Sequence, residues 1–306
     1  MKLKLFFLLL FYASASFAQT FLVNKVGFKL PNEIVIIKHA FYEIGFNTKY
    51  HLPAWVYYSL TKKHLSLANL DRKGSFVKDP YVHSEQASNE DYSGSGYDKG
   101  HLVPCEDMSF SEQAMKETFY YSNCAPQTTE LNRGQWKVLE ELAREWAVDF
   151  GEAMVVCGPV FKTLMPKMGA HDIPVPDLYY KIIVVHKEKN YSALAFLMPN
   201  SSSVLLAPVN YTCTIDSVEK ITGLDFFTEL PDNLEEQFEG KINVSEWNWN
   251  VHHTKANEFK NDSLQKKDKV PENTISIQCK GKTKKGKRCK KKTDSMNGFC
   301  NLHGGG

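Results

Sequence analysis

Residues Tyr92 to Leu102 read YSGSGYDKGHL, and this stretch decides how the rest of the chain is interpreted. Its three closely spaced glycines indicate an irregular and tightly folded backbone. The segment from Asp98 to His101 then brings a carboxylate, an ammonium group and an imidazole close together. A single histidine after a glycine is more often structural than catalytic. The stretch therefore gains its meaning from the residues that follow it.

A second block begins at Asn123, downstream of His101. It reads NCAPQ from Asn123 to Gln127 and continues to Asn132. An asparagine at the start of a helix is usually an N-cap. Apolar residues at helical spacing then predict a helix from Asn132 to Val148; they are Trp136, Leu139, Ala143 and Trp146.

In combination, these blocks are similar to a known family. Residues 98–101 resemble the DRGH signature of the DNA/RNA non-specific endonucleases, which include mitochondrial endonuclease G and secreted bacterial nucleases. Residues 123–140 resemble that family's N-x-x-P-Q-x-x-x-x-N-x-x-x-W-x-x-L-E block. Val156–Phe161 and Val218–Phe227 resemble two further motifs of the family. Four blocks in the family's order, across roughly residues 50 to 230, make this a specific resemblance.

The resemblance implies a ββα-metal nuclease fold with a central antiparallel sheet flanked by helices. The residues by themselves predict an α+β class, because strand follows strand with little helix between. The predicted strands are Ala54–Leu60, Ala153–Val156 (ended by Gly158 and Pro159), Tyr179–His186 and Ser192–Met198. A short helix is predicted from Asp216 to Thr222, with Gly223 as its C-terminal cap.

The resemblance also implies the catalytic groups. His101 matches the family's general base, and neutral imidazole suits that role near pH 7. Asn132 matches the asparagine through which the family holds Mg²⁺, for which Mn²⁺ can substitute. Glu140 matches the acidic residue that contacts the metal's water molecules. Asn123 and Gln127 match positions that line the site.

Two basic residues complete the implied site. Lys99 stands where the family usually has arginine, so the charge is kept but the bidentate geometry toward phosphate is lost. Arg72, in the segment LDRKGSFVKDP, is the candidate for the upstream arginine that stabilises the transition state. The alignment of Arg72 with the family is loose.

Residues 1–18 predict a secretory signal peptide. Two lysines precede an apolar run from Leu5 to Tyr12, and small residues at 16 and 18 suit a signal peptidase. We therefore expect a secreted or periplasmic protein with no membrane span after cleavage. An exported protein can form disulfides. Cys105–Cys124 and, more weakly, Cys157–Cys213 are the expected pairs among the three pairings that four cysteines permit.

The remaining organisation follows from charge and composition. Residues 19–254 form the expected endonuclease domain with a formal charge of −9, and residues 255–275 read as a polar linker. Residues 276–306 form a basic tail, with a charge of +8 counted from Cys279. Three cysteines and one histidine there could hold tetrahedral zinc; they are Cys279, Cys289, Cys300 and His303. The alternatives are a disordered basic tail with incidental cysteines, or oxidised thiols.

Three functions compete at this stage. The favoured one is a metal-dependent endonuclease that cuts DNA and RNA with little sequence preference. The second is a catalytically inactive nucleic-acid-binding protein on the same fold. A zinc-dependent hydrolase is disfavoured because the chain contains no H-E-x-x-H motif. The oligomeric state stays open, with a homodimer among the alternatives.

Overall fold

The computed structural model describes residues 33–187, 190–203, 206–227, 240–251, 277–278, 289–290 and 292–293. The chain divides into two compact units, residues 1–256 and 257–306. The predicted signal peptide, the linker and most of the basic tail lie outside the described residues. None of the described helices is long and apolar enough to cross a membrane.

A seven-stranded antiparallel sheet forms the centre of the first unit. Its strands lie in the order β1-β2-β3-β6-β9-β10-β11. They are β1 (Ile34–Lys38), β2 (Tyr42–Asn47), β3 (Leu52–Thr61), β6 (Glu152–Val160), β9 (Leu178–Lys187), β10 (Asn190–Pro199) and β11 (Thr212–Cys213). The four strands expected from the sequence are all present. One boundary was wrong: β6 continues through Gly158 and Pro159 instead of ending before them.

Alternating side chains bury both faces of this sheet. On β6, Val155 and Cys157 face one apolar core, and Met154 and Val156 face another. Gly158 packs closely against the neighbouring strand β3. A Cβ atom added at this position would overlap the carbonyl oxygen of Ala54. The first core also holds Leu102, which directly follows His101, and the main helix.

Five helices surround the sheet in the described part of the chain. They are α1 (Lys62–Leu67), α2 (Asn89–Tyr92), α3 (Glu112–Glu117), α4 (Trp136–Phe150) and α5 (Ile215–Thr222). The predicted apolar stripe of α4 is buried in the first core. Gly223 ends α5 in the left-handed conformation with φ 69°, as expected.

The predicted start of the main helix was wrong. Leu131–Gln135 forms a π-helical turn, and the regular helix begins only at Trp136. Gly134 lies inside this turn with non-helical torsions, φ −103° and ψ −115°. Asn132 therefore lies on an irregular turn beside the helix rather than on its first regular turn.

Two short strands precede this turn and complete a ββα unit. β4 (Asp98–His101) pairs antiparallel with β5 (Cys124–Gln127), so that His101 faces Cys124 and Asp98 faces Gln127. A separate pair, β7 (Lys167–Met168) and β8 (Ile173–Pro174), lies between β6 and β9 in the chain. In the second unit, β12 (Ile277–Gln278) pairs antiparallel with β13 (Lys292–Thr293).

Candidate active site

His101 lies at the end of β4 against two aromatic rings. Its ring centroid is 4.7 Å from that of Phe76 and 5.1 Å from that of Phe119, which meets it edge-on. Its Nε2 atom is buried and has no hydrogen-bond partner in the described part of the chain. Burial lowers the pKa of His101 to about 3, with help from the charge of Arg72. The imidazole is therefore neutral at pH 7, as a general base must be.

Arg72 lies beside this histidine although the two are far apart in the sequence. The guanidinium carbon lies 5.7 Å from the ring centroid of Phe119, the same ring that packs against His101. Its charge acts on three nearby groups, His101, Cys105 and Glu106. The arginine that the sequence suggested only loosely is thus placed next to the proposed base, with an exposed side chain.

Lys99 occupies the same side of β4 as His101, because residues two apart on a strand share a face. Its Nζ donates to Oδ1 of Asn89 at 2.5 Å and lies 5.7 Å from the ring of Phe76. Phe76 therefore contacts both Lys99 and His101. Asn89 of α2 and the ring of Phe76 therefore hold the lysine's ammonium group on the side of β4 that carries His101.

Asn123 is buried, and both ends of its amide bond the backbone. Its Oδ1 accepts from the amide nitrogen of Val103 at 3.0 Å, and its Nδ2 donates to the carbonyl oxygens of Val103 and Thr118. The side chain thus braces the segment that directly follows His101. It contributes to the site through the backbone rather than by facing an open cleft.

Asp98 joins β4 to the turn that carries Asn132. Its Oδ2 accepts from Nδ2 of Asn132 at 3.0 Å. Arg133 holds the same carboxylate with two bonds of 2.9 Å, from Nε to Oδ2 and from Nη2 to Oδ1. Burial opposes ionisation, but these partners outweigh it and lower the pKa of Asp98. Because Nδ2 is committed to Asp98, Oδ1 is the end of the Asn132 amide left for a cation.

Glu140 lies in a polar cluster between α4 and the sheet. Its Oε1 is 4.0 Å from Nζ of Lys181, a fully buried lysine on β9 whose ammonium also lies 4.3 Å from the ring centroid of Trp136. Burial raises the pKa of Glu140 to about 8, while Lys181 opposes that rise. Nearby, Arg144 and Asp107 form a buried ion pair at 2.6 Å.

The contacts thus form three groups linked by short segments. The first surrounds His101 with Arg72, Lys99 and the aromatic rings, and the second joins Asp98 to Asn132. β4 connects these two, since it carries both Asp98 and His101. The third group is the polar cluster around Glu140 between α4 and the sheet. Glu106 links the first group to it, because the charge of Glu106 acts on His101 and on Glu140.

The donor chemistry at Asn132 fits a magnesium ion. An amide oxygen is a hard ligand, and Mg²⁺ keeps several waters when it binds one or two protein oxygens. Asn132 is only partly buried, so water can reach it. Elsewhere in the described residues, no group of three histidine, cysteine, aspartate or glutamate side chains could hold a metal.

The two expected disulfides were wrong. Cys105, Cys124, Cys157 and Cys213 are all free thiols. Cys157 packs into the core on one face of the sheet and donates to the carbonyl oxygen of Leu102, whereas Cys213 packs on the other face. Cys105 and Cys124 likewise belong to separate apolar clusters.

The predicted zinc ligands cannot be compared as a set. Cys279, Cys300 and His303 lie outside the described residues, and Cys289 is buried. The zinc module stays a prediction.

Comparison with known proteins decides the family. The sequence profile of the DNA/RNA non-specific endonucleases matches residues 19–233. The chain belongs to this family. Nuclease C1 of Cunninghamella echinulata is 34% identical over 204 residues, which cover 62% of this chain and 81% of the fungal protein. Family membership places the chain among the phosphodiester hydrolases.

Two other comparisons agree. The mitochondrial nuclease EXOG of Xenopus laevis is 33% identical over 63% of this chain, and the match spans 58% of the frog protein. The crystal structure of an EndoG/EndoGI complex superposes with a TM-score of 0.62 and 27% identity, covering 65% of this chain and 88% of the matched one. The endonuclease has the α+β class that its residues predicted and the ββα-metal fold that the family resemblance implied.

The expectation of a secreted or periplasmic protein was wrong. Relatives of this endonuclease from frog, budding yeast and fission yeast are named as mitochondrial nucleases, which points to mitochondria instead. An apolar segment after two lysines was too weak a signal to set the compartment.

Sequence reasoning missed several groups of the endonuclease's site. Asp98 was inside the quoted motif without a role, because its partners lie on a distant turn of the chain. Nothing in the sequence pairs Arg144 with Asp107, and the burial of Lys181 was not predicted. A lysine inside an otherwise apolar strand, at position 181 in LYYKIIVV, was the one available signal.

Proposed function

We propose that this endonuclease hydrolyses phosphodiester bonds in DNA and RNA without strong sequence preference, using His101 as general base and Mg²⁺ or Mn²⁺ held through Asn132. The observation that carries the proposal is the Asp98–Asn132 hydrogen bond on the strand that also presents neutral His101. This hydrogen bond connects Asn132, the proposed cation ligand, to the strand that carries His101, the proposed base.

In this proposal, proton transfer, stabilisation of charge and positioning of the backbone fall to different residues. His101 takes the proton from the attacking water, which neutral imidazole can do at pH 7. Arg72 and Lys99 lie close to His101 and offer positive charge to phosphate oxygens that carry increased negative charge in the transition state. Asn123 holds the backbone after His101 in place. When bound, the metal ion adds positive charge at the phosphate and the leaving oxygen.

Glu140 is assigned to the water molecules around the metal. It lies on α4, which follows the Asn132 turn directly, and its Oε1 is 4.0 Å from Nζ of Lys181. In this assignment Glu140 acts through hydrogen bonds to water rather than as a direct ligand. Its substitution should therefore cost less than that of Asn132.

Substrate breadth follows from the kind of contact available. Arg72 and Lys99 can contact phosphates, and phosphate contacts carry no direct sequence information. We therefore expect both DNA and RNA to be cut. The basic tail, residues 276–306, would serve as a tether for nucleic acid, with zinc on its cysteines and His303 supplying the stability that a small core cannot.

A plasmid-nicking assay tests the proposal against the inactive alternative. The purified full chain should convert supercoiled plasmid to nicked circles in Mg²⁺, degrade single-stranded RNA, and lose both activities in EDTA. Binding without nicking in either metal would favour the inactive nucleic-acid-binding protein. A sharp recognition sequence in the mapped cleavage ends would refute the lack of sequence preference.

A further inference from the structure

Arg133 holds Asp98 with a two-pronged contact. Both guanidinium bonds measure 2.9 Å, and they engage both carboxylate oxygens. Paired parallel bonds of this kind fix the orientation of a carboxylate as well as its position. The Arg133 side chain is 70% exposed and that of Asp98 is 17% exposed. The arginine therefore covers the carboxylate from the solvent side.

The irregular turn explains why two successive residues reach one carboxylate. On a regular helix, neighbouring side chains point about 100° apart and do not face a common partner. Here Asn132 and Arg133 lie in the π-helical turn before Gly134, whose torsions are not helical. That turn directs both side chains at Asp98. The same turn would separate them if it became regular helix.

Asp98 in turn accepts from two neutral partners, Asn132 and Thr129, of which Asn132 is the proposed metal ligand. Its Oδ2 accepts from Asn132 at 3.0 Å and from Nε of Arg133 at 2.9 Å. A carboxylate held on one side only could rotate and leave the amide without its anchor. Among these partners, Arg133 engages both carboxylate oxygens.

We propose that Arg133 is a positioning residue for the metal site: by holding both oxygens of Asp98, it fixes the carboxylate that orients the Asn132 amide. This inference rests on the proposed role of Asn132. It also bears on Lys99, which stands where the family usually has an arginine. The arginine that makes a bidentate contact in this chain is Arg133, and it binds a carboxylate instead of a phosphate.

The test compares Arg133→Lys with Arg133→Gln in the full chain. Mn²⁺ affinity is measured from the free-ion signal in electron paramagnetic resonance, without substrate. Lysine keeps the charge but loses the two-pronged contact, so both variants should bind Mn²⁺ about tenfold more weakly, a usual cost of losing an outer partner of a metal ligand. Removing a positive charge alone would strengthen cation binding. Weaker binding by Arg133→Gln therefore cannot come from charge.

Two controls narrow the interpretation. Lys137→Gln removes an exposed charge from the adjoining helix α4, where Lys137 pairs with Glu141 rather than Asp98, and should not weaken Mn²⁺ binding. In an Asp98→Asn background, Arg133→Lys should have no further effect, because the arginine acts through Asp98. An additive loss in that background would overturn the proposal.

A phosphate-binding role would give a different pattern. Arg133→Gln would then raise KM for DNA and lower the salt dependence, with Mn²⁺ affinity unchanged. Wild-type Mn²⁺ affinity in Arg133→Lys, alongside lost binding in Asn132→Ala, would overturn the positioning role alone. Wild-type Mn²⁺ affinity in Asn132→Ala would overturn the proposed metal site as well.

Discussion

Gly100 packs directly against the side chain of Gln127 where β4 pairs with β5. A Cβ atom added at Gly100 would overlap Oε1 of Gln127 and lie 2.6 Å from its Cγ. Gln127 is fully buried, so its side chain has little room to move aside. Close packing against Gln127 therefore requires a glycine at position 100, directly before His101. The side chain of Gln127 sets how closely this part of β4 can approach it.

Gly100→Ala should therefore destabilise the protein and displace His101. Overpacking a tight core usually costs about 1–3 kcal/mol. We expect a lower Tm by thermal unfolding, together with reduced nuclease activity. Adding Gln127→Ala should recover part of the lost stability, because it removes the overlapping atoms. A wild-type Tm for Gly100→Ala would contradict the packing argument.

His101→Ala should abolish cleavage while folding and nucleic-acid binding stay nearly intact. Losing a general base typically lowers the rate by about 10²–10⁴-fold. Single-turnover cleavage of a labelled duplex measures the rate, and fluorescence anisotropy with the same duplex measures binding. His83→Gln, at an exposed histidine, is the matched control and should leave both unchanged. Activity of His101→Ala within a few-fold of wild type would exclude it as the base.

Asn132→Ala should remove metal-dependent activity, and Glu140→Gln should have a smaller effect. The first loses the proposed direct ligand, whereas the second alters a contact made through water. Titration of activity with Mg²⁺ and Mn²⁺ separates weaker metal binding from a lower kcat at saturation. A larger loss in Glu140→Gln than in Asn132→Ala would reverse these two assignments.

The sequence predicted the parts of this fold that repeat a simple pattern. The strands around Trp55, Val155 and Ile183 are apolar runs, and the helix around Trp146 has clear helical spacing. The π-helical turn at Leu131–Gln135 was missed because the helix was extended back to Asn132, although its apolar positions begin only at Trp136. Only the torsions of Gly134 show that the backbone departs from a helix there.

The site was predicted in its residue types more than in its connections. The motifs indicated His101 and Asn132, but Asp98 joins them through hydrogen bonds between distant segments of the chain. The buried Lys181 beside Glu140 depends on how β9 lies under α4. Tertiary packing decides such contacts, and periodicity in one sequence carries no record of them.

The buried state of His101 gives a prediction about stability and pH. Its pKa falls to about 3 in the folded protein and is near 6.5 in the unfolded chain. Between these values the unfolded chain binds more protons, so stability is lost as the pH falls. His101→Gln should lose less stability than wild type between pH 7 and pH 5, by up to about 2 kcal/mol.

That comparison must be made between the two proteins rather than within one. The pKa of Glu140 is raised to about 8, so its contribution has the opposite sign and falls as the pH rises from about 4.5 to 8. Urea unfolding at each pH measures the difference, and His83→Gln again serves as control. Parallel pH profiles for wild type and His101→Gln would show that the buried imidazole does not set this slope.

The last prediction concerns the basic tail and follows from the division of charge. The domain of residues 19–254 has a formal charge of −9, and residues 279–306 have +8. An acidic domain repels a polyanion at long range, so the tail should supply much of the attraction. Each phosphate neutralised by the tail releases a counterion, which makes binding weaken steeply with salt.

Deleting residues 276–306 should therefore raise KM at low salt and flatten its salt dependence, while kcat changes little. The proposed catalytic residues all precede residue 150, so the chemistry should survive the deletion. The full and shortened chains are compared by KM for duplex DNA at about 50 to 200 mM salt, a range over which phosphate contacts weaken strongly. As a separate readout, the reduced full chain should contain about one zinc ion, which Cys300→Ser should remove. Equal KM values and equal salt slopes would show that the tail does not tether nucleic acid, even if it holds zinc.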